Sequence, residues 1–186
     1  MSSKLLLTGG LGYIGSFTAK NFLKKTKNKA ISIDNLCRGN KFSRKYSKNF
    51  KTNISSAKTK KIISNSKLNV VFHLASLTCV RESLKKIKKY RQNYKDQIKF
   101  IKNLKSTNIK YFIFSSSLSI FEKNKYKLNL SPYSKYKLMI EKYLKKIANQ
   151  NFKVIILRYP NIIGSCPNGK LGEKNFFITR IIPSFY

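Results

Sequence analysis

The chain alternates between short apolar runs and longer segments in which apolar residues recur at helical spacing. Residues 4–8 are mostly apolar and end at a glycine, which is typical of a buried strand. Residues 12–26 follow, with Ile14, Phe17 and Phe22 on one side of a helix. The same pattern along the chain predicts strands at 4–8, 30–34, 50–54, 69–74, 110–115 and 153–158, and helices at 12–26, 57–66, 83–106 (broken near Lys88) and 134–148.

The order of these elements predicts an α/β fold with a parallel, doubly wound sheet. Strands that alternate with helices and are apolar on both faces are covered by helices on both sides. In such sheets, ligands bind beyond the carboxyl ends of the strands. We therefore expect functional residues in the segments that follow each strand. After residue 158 the pattern changes to a long loop marked by Gly164, Pro167, Gly169 and Gly172.

The composition restricts the class of protein. With 186 residues, of which 41% are hydrophobic, the chain can form one domain with a sizeable core. No apolar stretch approaches the roughly 18–20 residues that span a bilayer, and the N-terminus resembles neither a signal peptide nor an anchor. Three distant cysteines and a single histidine, His73, provide neither a disulfide framework nor a zinc-binding spacing. We therefore expect no metal, no membrane association and a reducing, cytoplasmic location.

The formal net charge is +34, from 40 Lys and Arg residues against six Asp and Glu residues. Most of the basic residues are lysines spread over the whole chain, together with many Asn, Ile, Phe and Tyr residues, and all of these types share A/T-rich codons. We interpret the charge as biased genome composition on a solvated surface, because arginine, which contacts bases and phosphates in bidentate fashion, is scarce. No nucleic-acid partner is expected on this hypothesis, and a functional basic surface is the alternative.

Three glycines, Gly9, Gly12 and Gly15, follow the first predicted strand in the sequence TGGLGYIG. In a strand–loop–helix unit that binds a dinucleotide, successive glycines allow a tight turn, close approach of the pyrophosphate, and close packing of helix against strand. The helix N-terminus then offers N–H groups to the phosphates. The spacing differs from the common G-x-G-x-x-G, and a packing turn without a ligand is the alternative.

Asp34 favours the dinucleotide interpretation. It lies 19 residues after Gly15, at the end of the second predicted strand, where a carboxylate can accept hydrogen bonds from an adenosine ribose. A carboxylate here favours NAD over NADP because it would repel a 2′-phosphate. Arg38, four residues later, is the opposing feature.

A candidate acid–base pair lies at the start of the last predicted helix. Tyr133 and Lys137 are four residues apart and so share one face of a helix. A nearby ammonium favours the phenolate and brings a group with a pKa of about 10 closer to the range of a useful base. Ser117, at the end of the fifth strand, can hydrogen-bond the same substrate hydroxyl. A Tyr-x-x-x-Lys pair also arises by chance in a chain with 11 tyrosines, so its position at a helix start is what favours a catalytic role.

Seven segments, taken in order, resemble the extended short-chain dehydrogenase/reductase family: TGGLGYIGS, DNLCRG, FHLAS, RES, FIFSSS, SPYSKYK and LRYPN. Within it they are most similar to the family of UDP-glucose 4-epimerases, over residues 4 to about 183. The resemblance implies a Rossmann-type sheet with NAD as cofactor, a nucleotide-sugar substrate and a homodimer formed by the long helices. It also implies that a proton is taken from the sugar 4-hydroxyl while hydride passes to NAD and returns to the opposite face of a 4-keto intermediate.

The resemblance further implies roles for individual residues. Tyr133 would be the base, Lys137 would lower its pKa and hold the nicotinamide ribose, and Ser117 would assist proton transfer. Asn161 and Asn175 would contact the nucleotide sugar. The implied cofactor-binding residues are Gly9, Gly12, Tyr13, Ile14, Gly15, Asp34, Asn35, Asn53, Ile54, Leu74, Ala75, Asn93, Ser115 and Tyr159.

Some positions depart from the family pattern. Asn53 stands where an acidic residue near the adenine is usual, Thr78 replaces a lysine, and Pro160 replaces an aromatic residue. These departures leave the nucleotide sugar open, including N-acetylated and uronic variants. The Asp-Glu pair of the dehydratases is replaced by Leu118-Ser119, which favours an epimerase.

The resemblance assigns residues 1–160 to an NAD-binding domain and residues 161–186 to the beginning of a substrate-binding region. Family members are longer, and their C-terminal domain completes the sugar pocket. We therefore expect a fragment that binds NAD, with its substrate domain largely missing and its activity in question. A non-catalytic NAD-binding module, or another epimerase, dehydratase or decarboxylase of the family, is the alternative. His73 is expected to pack or to anchor a loop.

Overall fold

Six parallel strands form one sheet in the computed structural model, which describes residues 5–39, 41–121 and 130–173. The strand order across the sheet is 3-2-1-4-5-6, so the chain moves outward first to one side of the first strand and then to the other. This order confirms the predicted doubly wound, Rossmann-type α/β fold. The strands are β1 (Leu5–Thr8), β2 (Ala30–Asp34), β3 (Ser47–Lys51), β4 (Val70–His73), β5 (Tyr111–Ser117) and β6 (Lys153–Tyr159).

Local sequence explains where several helices begin. The helices are α1 (Tyr13–Thr26), α2 (Ala57–Ser64), α3 (Val80–Lys85), α4 (Ile87–Leu104) and α5 (Pro132–Ile147). The Ser56 side chain accepts from the N–H of Thr59 to cap α2, and the Ser131 side chain accepts from the N–H of Ser134 to cap α5. The predicted break in the third helix is present at Lys86, between α3 and α4.

The predicted position of the third strand, residues 50–54, is wrong by three residues. The observed strand pairs with β2 from Ala30 opposite Ser47 to Asp34 opposite Lys51, and Ser32 donates a 2.8 Å hydrogen bond to Ser47. The sequence SKNFK contains no apolar run because this is an edge strand. Asn53 and Ile54 therefore follow the strand at its carboxyl end. The segment before this strand, to which the sequence pattern assigned neither a strand nor a helix, is a 3-10 helix at Lys41–Tyr46.

The core lies on both faces of the sheet. Alternate residues of β1 point to opposite faces, so Leu6 joins the larger cluster, whereas Leu5 and Leu7 join the smaller one beside α1. Side chains of α2, α4 and α5 complete the larger cluster. This packing fixes the strand ends and the N-terminus of α1 relative to one another. In the described ranges, no helix combines the length and the apolar character needed to cross a membrane.

Candidate active site

A cavity of about 610 Å³ opens at the carboxyl ends of the strands. Asn175 lies outside the described residues, and every other predicted site residue lines this cavity. They are Gly9, Gly12, Tyr13, Ile14, Gly15, Asp34, Asn35, Asn53, Ile54, Leu74, Ala75, Asn93, Ser115, Ser117, Tyr133, Lys137, Tyr159 and Asn161.

The glycine loop shapes one wall of the cavity. Gly9 has a φ of 69°, its N–H donates to the Ile33 carbonyl at 2.7 Å, and a Cβ there would lie 2.9 Å from the backbone nitrogen of Ala75. A Cβ on Gly15 would overlap the Gly9 carbonyl oxygen, so the third glycine lets α1 pack against the loop. No side chain caps the N-terminus of α1 and no acidic residue lies in its first turn. The helix end can therefore accommodate an anion.

Asp34 connects the glycine loop with the loop after β2. One carboxylate oxygen accepts from the N–H of Leu11 at 3.0 Å and the other from the N–H of Leu36 at 2.7 Å. Leu36 has a φ of 65°, so this turn is held in the left-handed region beside the carboxylate. Asp34 is buried but still lines the cavity. It therefore both positions the loop and presents a carboxylate to the cavity.

Arg38, the residue that opposed a clear preference for NAD, is engaged with the segment after β4. Its guanidinium donates to Thr78 Oγ1 at 3.3 Å and pairs with Glu82 at 3.0 Å. Glu82 also pairs with Lys89 at 2.9 Å and accepts from the Tyr90 hydroxyl. The hydrogen bond from Lys89 is the main factor that lowers the pKa of Glu82. Sequence patterns did not indicate this cluster at the rim of the cavity.

Tyr133 and Lys137 are both buried at the start of α5. The Lys137 ammonium nitrogen donates to the Ser115 carbonyl at 2.7 Å and lies 5.9 Å from the centroid of the Tyr133 ring. Burial lowers the pKa of Lys137 to about 7, and the charge of Glu141 opposes that change. Ser117 Oγ accepts from the N–H of Ser119 at 3.2 Å. The structure thus brings the tyrosine and the lysine together at the end of the strand that carries the serine.

Glu141 is a buried carboxylate that sequence analysis missed. It accepts from Ser116 Oγ at 2.6 Å and forms a bidentate pair with Arg158, at 3.1 and 2.8 Å. These contacts join α5 to β5 and β6. Although burial opposes ionisation, the hydrogen bonds from Arg158 and Ser116 lower the pKa of Glu141 overall. The sequence offered one indication of its importance: Glu141 lies four residues after Lys137, in a chain with only six acidic residues.

Sequence analysis missed several other residues that line the cavity and lie within three residues of predicted ones. Examples are Thr52, Ser76, Leu77 and Asp96. The first three follow strand ends, and Asp96 lies one helical turn after Asn93, so strand ends and helix periodicity could have indicated them. The described part of the chain contains no group of three or more His, Cys, Asp or Glu residues that could hold a metal ion.

A family model and curated relatives match this chain and indicate the same family. The model of the NAD dependent epimerase/dehydratase family matches residues 5–186. A UDP-glucose 4-epimerase of Yersinia enterocolitica is 31% identical over 189 residues, covering 91% of this chain and 56% of the relative. This chain therefore spans little more than half the length of that curated relative.

Solved structures agree. UDP-glucose 4-epimerase of Bifidobacterium longum, in complex with NAD⁺ and UDP, superposes with a TM-score of 0.84 at 27% identity, over 95% of this chain and 58% of that one. UDP-N-acetylglucosamine 4-epimerase of Methanobrevibacter ruminantium, in complex with UDP-N-acetylmuramic acid, has a TM-score of 0.83 at 30% identity, over 100% of this chain and 62% of that one.

Proposed function

The chain belongs to the NAD dependent epimerase/dehydratase family, and on that premise we propose that it holds NAD and provides the acid–base residues of a nucleotide-sugar 4-epimerase. One observation carries the proposal: an uncapped helix N-terminus, a buried carboxylate and a buried Tyr–Lys pair surround the same cavity. The relatives named UDP-glucose 4-epimerase support a UDP-linked hexose as the substrate class. Asn161, which lines the cavity, is our candidate for a substrate contact, as is Asn175.

The residues around the cavity fit NAD. The diphosphate would lie at the N-terminus of α1, where a Cβ on Gly12 would meet only the Gly9 carbonyl oxygen, at 3.2 Å, so the backbone is open to close approach. Asp34 would accept hydrogen bonds from the adenosine ribose, since each carboxylate oxygen has lone pairs beyond those used by the N–H groups of Leu11 and Leu36. When bound, NAD supplies the hydride acceptor and donor for the sugar C4.

Tyr133 would take the proton from the sugar 4-hydroxyl and later return it. The Lys137 ammonium favours the phenolate, and because burial lowers the pKa of Lys137 to about 7, that charge is present mainly at and below neutral pH. Ser117 Oγ accepts from the N–H of Ser119, which leaves its own hydrogen for a substrate oxygen. These three groups would bind, orient and deprotonate the hydroxyl.

The residues after Ser117 favour epimerisation over dehydration. Elimination of water needs a further acid–base pair, and the positions that would carry it hold Leu118 and Ser119, in a short 3-10 helix. Ser119 Oγ accepts from Ser134 Oγ at 2.9 Å, so this hydroxyl is part of the contact between that turn and α5. Assembly as a homodimer through α4 and α5, which the sequence resemblance implies, stays a prediction.

The proposal is tested by calorimetric NAD titration of the 186-residue chain and by its conversion of UDP-galactose to UDP-glucose. Tyr133→Phe should lower turnover by about 10²–10⁴-fold, the usual contribution of a positioned acid–base group, with NAD affinity little changed. The matched control is Tyr136→Phe, which keeps the stacking of that ring on Tyr94 at 5.1 Å and should retain activity. Unchanged activity in Tyr133→Phe would refute the assigned base. NAD binding without conversion of any UDP-sugar would instead favour a non-catalytic dinucleotide-binding module.

A further inference from the structure

His73 lies in a buried chain of hydrogen bonds that runs from β1 to the wall of the cavity. Its Nδ1 is 2.8 Å from Thr8 Oγ1, and its Nε2 is 3.2 Å from Gln97 Oε1. The Gln97 amide nitrogen donates in turn to Asn93 Oδ1 at 2.9 Å. Thr8, His73 and Gln97 are each at most 2% exposed, whereas Asn93 lines the cavity. This series of hydrogen bonds therefore connects the protein interior with the ligand site.

The hydrogen-bond partners of Thr8 determine which group donates at each step of this series of hydrogen bonds. Thr8 Oγ1 accepts from the N–H groups of Leu74 and Ala75, at 3.2 and 3.3 Å, so its own hydrogen is directed to Nδ1 of His73. A neutral imidazole that accepts at Nδ1 carries its proton on Nε2 and donates it to Gln97 Oε1. The Gln97 NH₂ group then faces Asn93.

The surroundings of His73 keep the ring neutral. It stacks on Phe100, with ring centroids 5.2 Å apart, and on Phe114 at 6.1 Å. Burial, with a smaller contribution from the charge of Lys137, lowers the pKa of His73 to about 3, and the hydrogen bond from His73 to Gln97 opposes this change. Because the ring is neutral and its tautomer is fixed, Nδ1 can only accept and Nε2 can only donate, which fixes the orientation of the Gln97 amide.

The side-chain oxygen of Asn93 is occupied from two sides. It accepts from the Gln97 amide and from the N–H of Leu77, at 3.3 Å. The Asn93 NH₂ group is therefore turned away from both donors, and within the described ranges the structure shows no hydrogen-bond acceptor for it. Asn93 also borders a second, very small cavity together with Tyr133 and Lys137. This places it beside the acid–base pair.

We propose that His73 and Gln97 are positioning residues that hold the Asn93 amide with its NH₂ group toward the cavity, where it donates to an oxygen in the nicotinamide half of bound NAD. The inference rests on the proposed function, since it takes NAD as the ligand. We assign the contact to the nicotinamide half because Asn93 borders the same small cavity as Tyr133 and Lys137. Asp34, the carboxylate expected to bind the adenosine ribose, lies instead at the end of β2.

Calorimetric titration of the full chain with NAD, and separately with ADP, tests the ligand contact. Gln97→Met and Asn93→Leu should each weaken NAD binding by about three- to tenfold, as expected for one hydrogen bond, and leave ADP binding within about twofold. The double variant should bind NAD no more weakly than Asn93→Leu alone, because both changes remove the same contact. The control Gln92→Met, on the exposed side of the same helix, should bind like wild type. Equal losses for NAD and ADP, additive losses or unchanged NAD affinity would each overturn the contact.

Nitrogen NMR tests the direction of the hydrogen bonds without any ligand. The chain has a single histidine, so its two ring-nitrogen signals are unambiguous. We expect a protonated Nε2, an unprotonated Nδ1 and no titration between pH 5 and pH 8. The opposite tautomer, or a ring that becomes charged in this range, would overturn the proposal. A wild-type chain that binds no NAD would refute the proposed function and the ligand contact together, whereas the NMR result decides the hydrogen-bond direction on its own.

Discussion

Replacing Lys137 with methionine should stabilise the empty protein at slightly acid pH. Lys137 is 5% exposed as a residue, and the pKa of its ammonium is lowered from 10.5 to about 7, chiefly by burial. That difference corresponds to about 5 kcal/mol of unfavourable free energy for the charged form in the folded state. The methionine variant carries no charge at this position, and so the cost is removed.

The sign of the pH dependence follows from proton binding. Between pH 7 and pH 10.5 the unfolded chain holds a proton at Lys137 that the folded chain does not, so wild-type stability rises with pH through this window. Methionine also removes the hydrogen bond to the Ser115 carbonyl, a pH-independent loss of about 1–3 kcal/mol. The variant should therefore be more stable than wild type by about 2–4 kcal/mol at pH 6, and this advantage should shrink by about 4 kcal/mol by pH 10.

Urea denaturation at pH 6, 7.5, 9 and 10 measures this difference. Lys135→Met is the matched control, because Lys135 lies on the same helix with its side chain exposed. Its free energy of unfolding relative to wild type should be the same at all four pH values. A pH-independent difference for Lys137→Met, or destabilisation at pH 6, would refute the assignment of Lys137 as a buried amine held at an energetic cost.

Two further substitutions test the loop and the buried carboxylate. Gly15→Ala places a Cβ on the Gly9 carbonyl oxygen and should weaken NAD binding at least about tenfold in calorimetric titration. The control is Gly169→Ala, at a φ of 66° in open space, which should lower the free energy of unfolding but leave NAD affinity unchanged. Equal NAD affinity in the two variants would contradict the packing argument. Glu141→Gln should lower the free energy of unfolding by about 2 kcal/mol at pH 7, less than the roughly 3–5 kcal/mol of a fully buried pair, because the Arg158 side chain is 34% exposed. The pKa of Glu141 is lowered in the folded state, so this loss should shrink as the pH falls below the ordinary value of 4.5 in chemical denaturation, and a loss that persists in acid would argue against the ion pair.

The sequence could predict those parts of the site in which chain distance and spatial distance are linked. The glycines follow β1 directly, Asp34 ends β2, and Tyr133 and Lys137 lie one helical turn apart, so strand ends and helix periodicity were sufficient to place them around one cavity. The edge strand β3 was misplaced because its polar sequence carries no apolar alternation. There, pairing with β2 decides the position.

Contacts between distant segments could not be predicted in this way. Glu141 meets Ser116 and Arg158, which lie 25 and 17 residues away, only because α5 packs on β5 and β6. The direction of the His73 hydrogen bonds likewise depends on a threonine 65 residues earlier. Both arrangements are products of tertiary packing, and neither has a local pattern.

The distribution of buried charge separates the chemistry of the site from the composition of the surface. The chain has 40 basic residues, yet Lys137 is the one lysine or arginine that is buried in the described ranges. Asp34 and Glu141 are the buried carboxylates there, although the chain has only six acidic residues. Burying an ionised group is costly unless it is paired or hydrogen-bonded, and each of these three side chains has such partners. Lys137 donates to the Ser115 carbonyl, Asp34 accepts from two backbone N–H groups, and Glu141 pairs with Arg158. The many exposed lysines carry no such cost, and their charge is screened by solvent and salt. The net charge of +34 is therefore a property of the surface, while Asp34 and Lys137 are, in the described ranges, the buried charged side chains that line the cavity.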